Sequence, residues 1–268
     1  MKLLVTANSE KHLQQLIKKE ITGVLIYIDK LSVNGSYYTN IDILEKVNFK
    51  DKEIYLVLNK LMHNNDLPYL REILTIIKNK NVKIMFYDMS VYNIAKELDM
   101  VNKLVIYQDH LNASVNSNNF YHKLGINSSY VTSDITKEEL LTIKKDTNMT
   151  IMFTVYGYLP IFYSRRYLIT NYLKYTSLTP GTNYKIISDE NISYPISEEA
   201  YGTTVYTKEP VNLINYLEEL SSIDYFVLHS NMISDENFNI ILDKFLNKEQ
   251  MTDCYLGFFL TKTIYKVK

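Results

Sequence analysis

The chain has 268 residues, 46% of them hydrophobic and 22% charged, which fits one large folded domain or two ordinary ones. Its only cysteine, Cys254, excludes an internal disulfide and any metal site built from four cysteines of this chain. The formal net charge of −1 excludes a global field that would attract nucleic acid, so any such binding must be local.

Short apolar runs alternate with helix-like segments along the chain. Strands are predicted at residues 3–5, 24–28, 54–58, 82–87, 104–107, 129–132, 150–156 and 224–228. A further extended piece is predicted at residues 111–115. Helices are predicted over residues 10–20, from about 66 to 79, over 117–124 and over 235–246, the first of them with Ser9 as its N-cap. Two further helices are predicted to begin at N-caps, one at Ser90 and one in the capping sequence 133–139.

Eight strand–helix steps in a chain of this length predict a (β/α)8 TIM-like barrel. The strands are continuously apolar, as expected for strands covered by helices on their outer face. The alternative is an open doubly wound sheet. The barrel is favoured because the count reaches eight and because none of the seven glycines falls in a phosphate-binding loop pattern.

One long insertion interrupts this alternation between the seventh and eighth strands. It covers residues 158–209 and contains two predicted extended segments, at residues 184–188 and 203–207. In a barrel, an insertion at this point belongs to the top face, where active sites are built. We predict a single barrel domain over residues 1–268, with residues 250–268 as a C-terminal extended tail that crosses the barrel or contacts RNA or a partner.

Polar residues at the ends of the predicted strands are candidates for lining the barrel mouth. They are Asn8, Asp29, Asn59, Asp88, Asp109, Asn116, Asp134, Tyr156 and His229. The alternative for the Asn and Asp residues is a role in turns and helix caps. His229 is the one histidine kept as a candidate, and no zinc-binding spacing of histidines occurs, so no metal site is predicted. We expect Cys254 to be a small buried residue.

The insertion begins with an arginine pair. Arg165 and Arg166 follow Ser164 among aromatic neighbours, in a chain with only one other arginine, Arg71. A guanidinium fork suits a carboxylate or a phosphate, and the aromatic rings could stack on a base. The alternative is that one arginine pairs with an acid of the barrel and the other is solvated.

The N-terminal segment does not have the pattern of a signal peptide, and no apolar run approaches the roughly 18 residues of a membrane span. We therefore expect a cytoplasmic protein without a membrane partner.

Several segments resemble the U-32 peptidase family, also called collagenase-like proteases. The most specific is residues 156–172 (YGYLPIFYSRRYLITNY), supported by 111–117 (LNASVNS), 133–140 (SDITKEEL), 257–259 (GFF) and 263–268 (TIYKVK). The resemblance implies a (β/α)8-like barrel. Despite the peptidase label, it also implies oxygen-independent hydroxylation, which in the tRNA branch makes 5-hydroxyuridine at the wobble position and is linked to prephenate. Many members hold an iron–sulfur cluster with four cysteines.

This chain departs from the family pattern at several positions, among them those of the cluster cysteines. Tyr167 stands where a cysteine is expected, residues 179–194 contain no cysteine pair, Tyr156 replaces a histidine and Asp134 a glutamate. The resemblance therefore implies a short paralogue without an iron–sulfur cluster, with prephenate as a possible ligand, tRNA as a possible partner, and a longer cysteine-containing paralogue as a possible heteromeric partner. The predicted ligand-binding residues are Arg165, Arg166, Ser164, Tyr156, Asn116, Asp134, Asp88 and His229.

Two alternatives remain open at this point. One is a peptidase, as the family label states, although the sequence shows no nucleophile–base motif and no metal motif. The other is a non-catalytic scaffold for the longer paralogue, which the absence of the family cysteines favours over independent catalysis.

Overall fold

The structure is a computed structural model that describes residues 1–108, 110–181, 184–188 and 191–261. Its strands are β1 (Leu3–Val5), β2 (Gly23–Ile28), β3 (Tyr38–Thr39), β4 (Glu53–Leu58), β5 (Lys83–Phe86), β6 (Leu104–Tyr107), β7 (Ser128–Tyr130), β8 (Thr150–Gly157), β9 (Pro160–Ser164), β10 (Lys185–Ile187), β11 (Ser193–Glu199), β12 (Gly202–Tyr206), β13 (Val211–Asn212) and β14 (Tyr225–Leu228). Its helices are α1 (Glu10–Leu16), α2 (Ile43–Lys46), α3 (Leu67–Ile77), α4 (Met89–Glu97), α5 (Val115–Lys123), α6 (Lys137–Lys145), α7 (Leu168–Thr176) and α8 (Asp235–Asn247). Within these ranges, no helix combines the length and the apolar character of a membrane span.

Eight parallel strands form a closed barrel. Their order around the barrel is β1, β14, β8, β7, β6, β5, β4 and β2, and β2 pairs with β1 to close the circle. Two short strands extend the sheet, β3 beside β2 and β13 antiparallel to β8. The predicted (β/α)8 barrel is confirmed, and the open doubly wound alternative is wrong because a first strand that pairs on both sides leaves no sheet edge.

The core has two layers, one inside the barrel and one between barrel and helices. Aromatic side chains fill much of the interior, which contains Tyr27, Tyr55, Tyr107, Tyr130 and Tyr225. At the N-terminal end of the barrel, the hydroxyls of Tyr55 and Tyr225 donate to the Glu53 carboxylate at 2.7 Å and 3.0 Å. These contacts close that end, so the cavity described below opens at the other.

Most predicted helices begin close to the residue that the capping pattern indicates. The Ser9 hydroxyl accepts from the backbone N–H of His12, and Thr136 and Glu139 form a capping box at the start of α6. The cap of α4 is Asp88 rather than Ser90, since the Asp88 carboxylate accepts from the Ser90 N–H at 2.8 Å. Helix α1 ends at Leu16, four residues before the predicted end.

The predicted extended piece at residues 111–115 is wrong. Ser114 caps α5, whose first residue is Val115. The residues before the cap form a turn around Asn112, a fully buried side chain whose amide donates to the Ser129 hydroxyl at 2.6 Å. Asn118 in α5 donates in turn to the Asn112 side-chain oxygen at 2.9 Å. Side-chain hydrogen bonds therefore replace the strand ladder that the apolar spacing suggested.

The insertion between β8 and β14 carries its own antiparallel sheet, in the order β10, β11, β12, β9, together with α7. The two extended segments predicted here correspond to β10 and β12. Residues 250–261 of the predicted tail bridge to the barrel at Val211 and Tyr255 and bury Phe259. The remainder of that tail, 262–268, lies outside the described residues.

Candidate functional site at the barrel mouth

A pocket that is partly open to solvent lies at the C-terminal ends of the barrel strands, and the empty space in it and directly above it amounts to about 460 Å³. Barrel strands, the loops that follow them and the first residues of the insertion contribute to its wall. The lining residues are Tyr27, Asn34, Tyr107, His110, Tyr130, Ser133, Asp134, Tyr158, Leu159, Pro160, His229 and Asn231. Two predicted site residues, Asp134 and His229, are among them, and this position is the usual site of chemistry in a (β/α)8 barrel.

A histidine–carboxylate pair stands at the rim of this cavity. His110 Nδ1 lies 2.7 Å from Asp134 Oδ2, and both side chains are about half exposed. They come from neighbouring loops, His110 after β6 and Asp134 after β7. A carboxylate on Nδ1 fixes the orientation of the imidazole, and an imidazole held in this way is a common general acid or base. Sequence reasoning misses His110 because it lies in the short gap between two segments predicted to be extended, residues 104–107 and 111–115.

The inner wall of the cavity contains a second histidine, which is buried rather than half exposed. His229 is buried, and its Nε2 lies 3.0 Å from the hydroxyl of Tyr130, which also hydrogen-bonds the Thr154 hydroxyl. Burial lowers the pKa of His229 to about 4, so the ring is neutral near pH 7. His229 therefore contributes hydrogen-bonding capacity to the cavity without a positive charge.

The cavity wall is aromatic and bears little charge. Tyr107 and Tyr130 meet edge to face with ring centroids 4.4 Å apart, and Tyr158 enters from the insertion. The described lining includes no lysine and no arginine, and Asp134 is its one carboxylate. With His110 protonated the pair is neutral, and with His110 neutral it is negative. The electrostatics of the mouth thus favour an uncharged ligand over an anion.

The arginine pair lies elsewhere, beyond the far end of β9. Pro160 at the start of this strand lines the cavity, whereas Ser164 ends the strand and the exposed Arg165 and Arg166 follow it. The Ser164 hydroxyl accepts from the Arg166 N–H at 3.2 Å. The Arg165 guanidinium contacts Nε2 of His63, in the loop after β4.

The predicted alternative, in which one arginine pairs with a barrel acid, does not describe this surface. Salt bridges in the described part of the chain join other residues. Gly202 holds the neighbouring strand against this turn, since a Cβ there would lie 2.1 Å from the Ser164 carbonyl oxygen, and its φ is +141°. The backbone beneath the pair is therefore held in place, and both arginines are exposed, with Arg165 also in contact with His63.

Three other predicted site residues lie away from the cavity. Asp88 caps α4 and also accepts from the Met62 N–H at 3.2 Å, which is the alternative role foreseen for strand-end Asp residues. Asn116 is the second residue of α5 and is exposed. Tyr156 packs outside the barrel against Phe238 and Phe245 of α8. Asp109 lies outside the described residues.

Hydrogen bonds fasten the insertion to the barrel mouth. The Tyr201 hydroxyl donates to Asp29 Oδ1 at 2.6 Å and accepts from the Lys30 N–H at 2.9 Å. The Tyr38 hydroxyl donates to Glu199 Oε2 at 2.6 Å. Burial raises the pKa of Glu199, and the bond from Tyr38 opposes that shift. These contacts set the position of β9 relative to the mouth.

The residues at the family's cysteine positions do not fit a four-cysteine cluster. Tyr167 donates its hydroxyl to the Ala200 carbonyl oxygen at 2.7 Å. Cys254, the one cysteine of the sequence, lies near Met251 on the C-terminal segment, partly buried, and burial raises the pKa of its thiol. Among the described residues no group of three or more His, Cys, Asp or Glu side chains has the arrangement of a metal site.

Comparisons with known proteins agree with this architecture. The sequence model of Peptidase family U32 matches residues 38–248. The tRNA hydroxylation protein P2 of Bacillus subtilis (strain 168) is 26% identical over 239 residues, covering 84% of this chain and 77% of that protein. The solved structure of the U32 peptidase Mk0906 superposes with a TM-score of 0.54 at 11% identity, covering 85% of this chain and 92% of that one, which is a likeness of fold.

Proposed function

The chain belongs to peptidase family U32, and from this premise we propose that it takes part in tRNA hydroxylation in the cytoplasm. The observation that carries the proposal is its similarity to a tRNA hydroxylation protein over 239 residues, which covers 84% of this chain. The barrel mouth supports it, because a histidine–carboxylate pair and a neutral aromatic wall form a site suited to proton transfer on an uncharged ring.

In its finer form, the proposal is a subunit or accessory factor without an iron–sulfur cluster, acting in the prephenate-linked hydroxylation of the wobble uridine. One cysteine cannot supply the four ligands that many family members use. We therefore propose that this chain works with a longer, cysteine-containing paralogue, and we assign no step of the reaction to a cluster in this chain.

The proposal is tested in a strain from which this gene is deleted, by measuring 5-hydroxyuridine in purified tRNA by mass spectrometry. Re-expression of the wild-type chain should restore the modification, and His110→Ala should restore only a small part of it, because loss of a general acid or base slows a reaction by about 10²-fold or more. His122→Ala, on α5 and outside the cavity, is the matched control and should restore it fully. Modification that persists in the deletion strain would contradict the proposal.

The same strain separates a working subunit from a scaffold. A scaffold requires only that the chain fold and bind its partner, so variants of the mouth and of the arginine pair would leave the modification unchanged. If Arg165→Ala/Arg166→Ala and His110→Ala each retain full modification and still co-purify with the cysteine-containing paralogue, the scaffold is the function.

A second candidate, the peptidase, is supported by one observation. Ser133, His110 and Asp134, the residue types of a serine peptidase, line one cavity. Peptide hydrolysis would require His110 to take the proton of the Ser133 hydroxyl. Purified wild-type protein would then cleave a denatured collagen substrate and Ser133→Ala would not. We favour hydroxylation, and expect Ser133→Ala to retain most of the tRNA modification.

A further inference from the structure

The barrel mouth and the arginine pair differ in chemistry and are joined by a single strand. The mouth is lined by aromatic residues, and among the described residues that line it there is no lysine or arginine. Arg165 and Arg166 are exposed and lie outside it. Strand β9 begins at Pro160 in the cavity wall and leads directly to Arg165. At about 3.3 Å per residue, the arginine pair begins about 17 Å from the mouth.

This separation argues against a dicarboxylate held jointly by the mouth and the arginines. An anion in the mouth would meet the Asp134 carboxylate and the neutral ring of His229. The one cationic form available there, protonated His110, is already 2.7 Å from Asp134. Such a wall offers no net positive charge to a carboxylate or a phosphate and suits an uncharged ring.

The arginine pair has the opposite preference. Guanidinium groups form bidentate hydrogen bonds with phosphate, and exposed aromatic residues lie on both sides of the pair in the sequence. Phe162 and Tyr167, which lie within three residues of the pair in the sequence, are each about half exposed. Cations interleaved with exposed aromatic rings are the pattern of surfaces that bind single-stranded nucleic acid.

We propose that the two sites bind one RNA strand, with an unstacked pyrimidine base in the mouth cavity and phosphates of the same strand on Arg165 and Arg166. The proposal rests on the proposed function, which makes the substrate an RNA uridine, and adds which part of it each site holds. A base inside a stem or a stacked loop cannot reach a barrel mouth, so it has to leave its stack to enter. Tyr107 and Tyr158 offer rings at the wall, and His110 stands at the rim.

Fluorescence anisotropy with two short single-stranded RNAs tests the proposal with the full-length protein. One is a uridine oligonucleotide, and the other is identical except for one central abasic nucleotide. We expect the wild type to bind the first more tightly, by roughly 5- to 150-fold for one stacked base. Tyr158→Ala and His110→Ala should remove this difference while leaving the affinity for the abasic strand unchanged. His122→Ala should preserve the difference.

The arginine variants should behave differently. Arg165→Ala/Arg166→Ala should weaken both oligonucleotides equally and reduce the slope of log affinity against log salt by about 1.4, as for two phosphate contacts to a single strand. Arg71→Ala is the control, since Arg71 pairs with Glu97 on the outer helices. Thermal melts of every variant show whether it is folded.

Three outcomes would overturn the proposal. Equal affinity for the uridine and abasic strands would show that the mouth does not bind the base. Competition by prephenate that depends on His110 would assign the mouth to an anion. Unchanged RNA binding by the arginine variant, together with loss of a co-purifying protein, would assign that surface to a protein partner. Each leaves the tRNA assay in the deletion strain unaffected, so the proposed function stands or fails separately.

Discussion

Gly157 faces His229 so closely that a Cβ on residue 157 would lie 2.8 Å from both the Cβ and the carbonyl oxygen of His229. The φ of Gly157 is +131°, a conformation that residues with a side chain rarely adopt. The end of β8 and the inner wall of the mouth therefore share one tight contact, and only glycine allows it.

Gly157→Ala is expected to lower the free energy of unfolding by roughly 1–3 kcal/mol, because the added methyl group both strains the backbone and displaces His229. Urea denaturation measures the change. Gly181→Ala is the matched control, since nothing lies within 4 Å of a Cβ at that position, and it should change stability little. Equal effects of the two substitutions would contradict the close contact.

Stability should fall as the pH drops below the ordinary pKa of histidine. The folded state holds the pKa of His229 at about 4, below the 6.5 of the unfolded chain, so the unfolded state binds the proton more readily between these values. The contribution is intact above pH 6.5 and is lost progressively toward pH 4, by about 3 kcal/mol at most. The pKa of His12 is also lowered by burial and acts with the same sign.

His229→Gln should therefore flatten the acid limb of the stability profile without removing it, because His12 still titrates. Unfolding free energies of the two proteins at several pH values between 4 and 7 give the difference. An unchanged slope in the variant would mean that His229 binds its proton equally well in the folded and unfolded states, which contradicts the lowered pKa.

Glu199 should contribute to stability with the opposite pH dependence. Burial raises the pKa of its carboxyl in the folded state, so the folded state binds the proton more tightly, and this stabilisation is lost as the pH rises through the folded pKa. Glu199→Gln is expected to melt above the wild type at pH 8, with the advantage shrinking toward pH 5. Tyr38→Phe, which removes the donor to this carboxylate, should cost about 1–3 kcal/mol at pH 8. A wild type that melts higher than Glu199→Gln at pH 8 would contradict this account.

The barrel could be predicted from the sequence because its strands are buried on both faces and read as continuous apolar runs. The same signal is silent about side-chain networks. Asn112 and Asn118 hold the turn before α5 through buried hydrogen bonds of their side-chain amides. Because of this turn, Asn116 lies in helix α5 and His110 lies at the mouth. The spacing of apolar residues does not predict a turn that is held by side-chain hydrogen bonds.

The candidate site could be predicted only in part, for a related reason. Strand ends correctly indicated Asp134 and His229 as mouth residues, since parallel strands bring their C-terminal ends together. Alternation along β8 would also turn Tyr156 inward, as it does Thr154. The pairing of β8 with β14 shifts by one residue at this point. Val227 of β14 lies opposite Thr154 and Leu228 lies opposite Tyr156, so Val155 has no partner residue on β14. This bulge directs Tyr156 outward against α8, and sequence alternation cannot reveal a bulge.

Tyr156→Phe should consequently retain full tRNA modification in the deletion strain, although the position belongs to the most specific segment of the family resemblance. Its ring packs between Phe238 and Phe245, and burial there raises the pKa of its hydroxyl to about 12. Tyr156→Ala should lower the free energy of unfolding by roughly 3–5 kcal/mol, because it removes a large aromatic side chain from a packed layer. Modification in cells and chemical denaturation of the purified variants separate the two effects. A loss of modification in Tyr156→Phe at unchanged stability would show that the hydroxyl acts in the site after all.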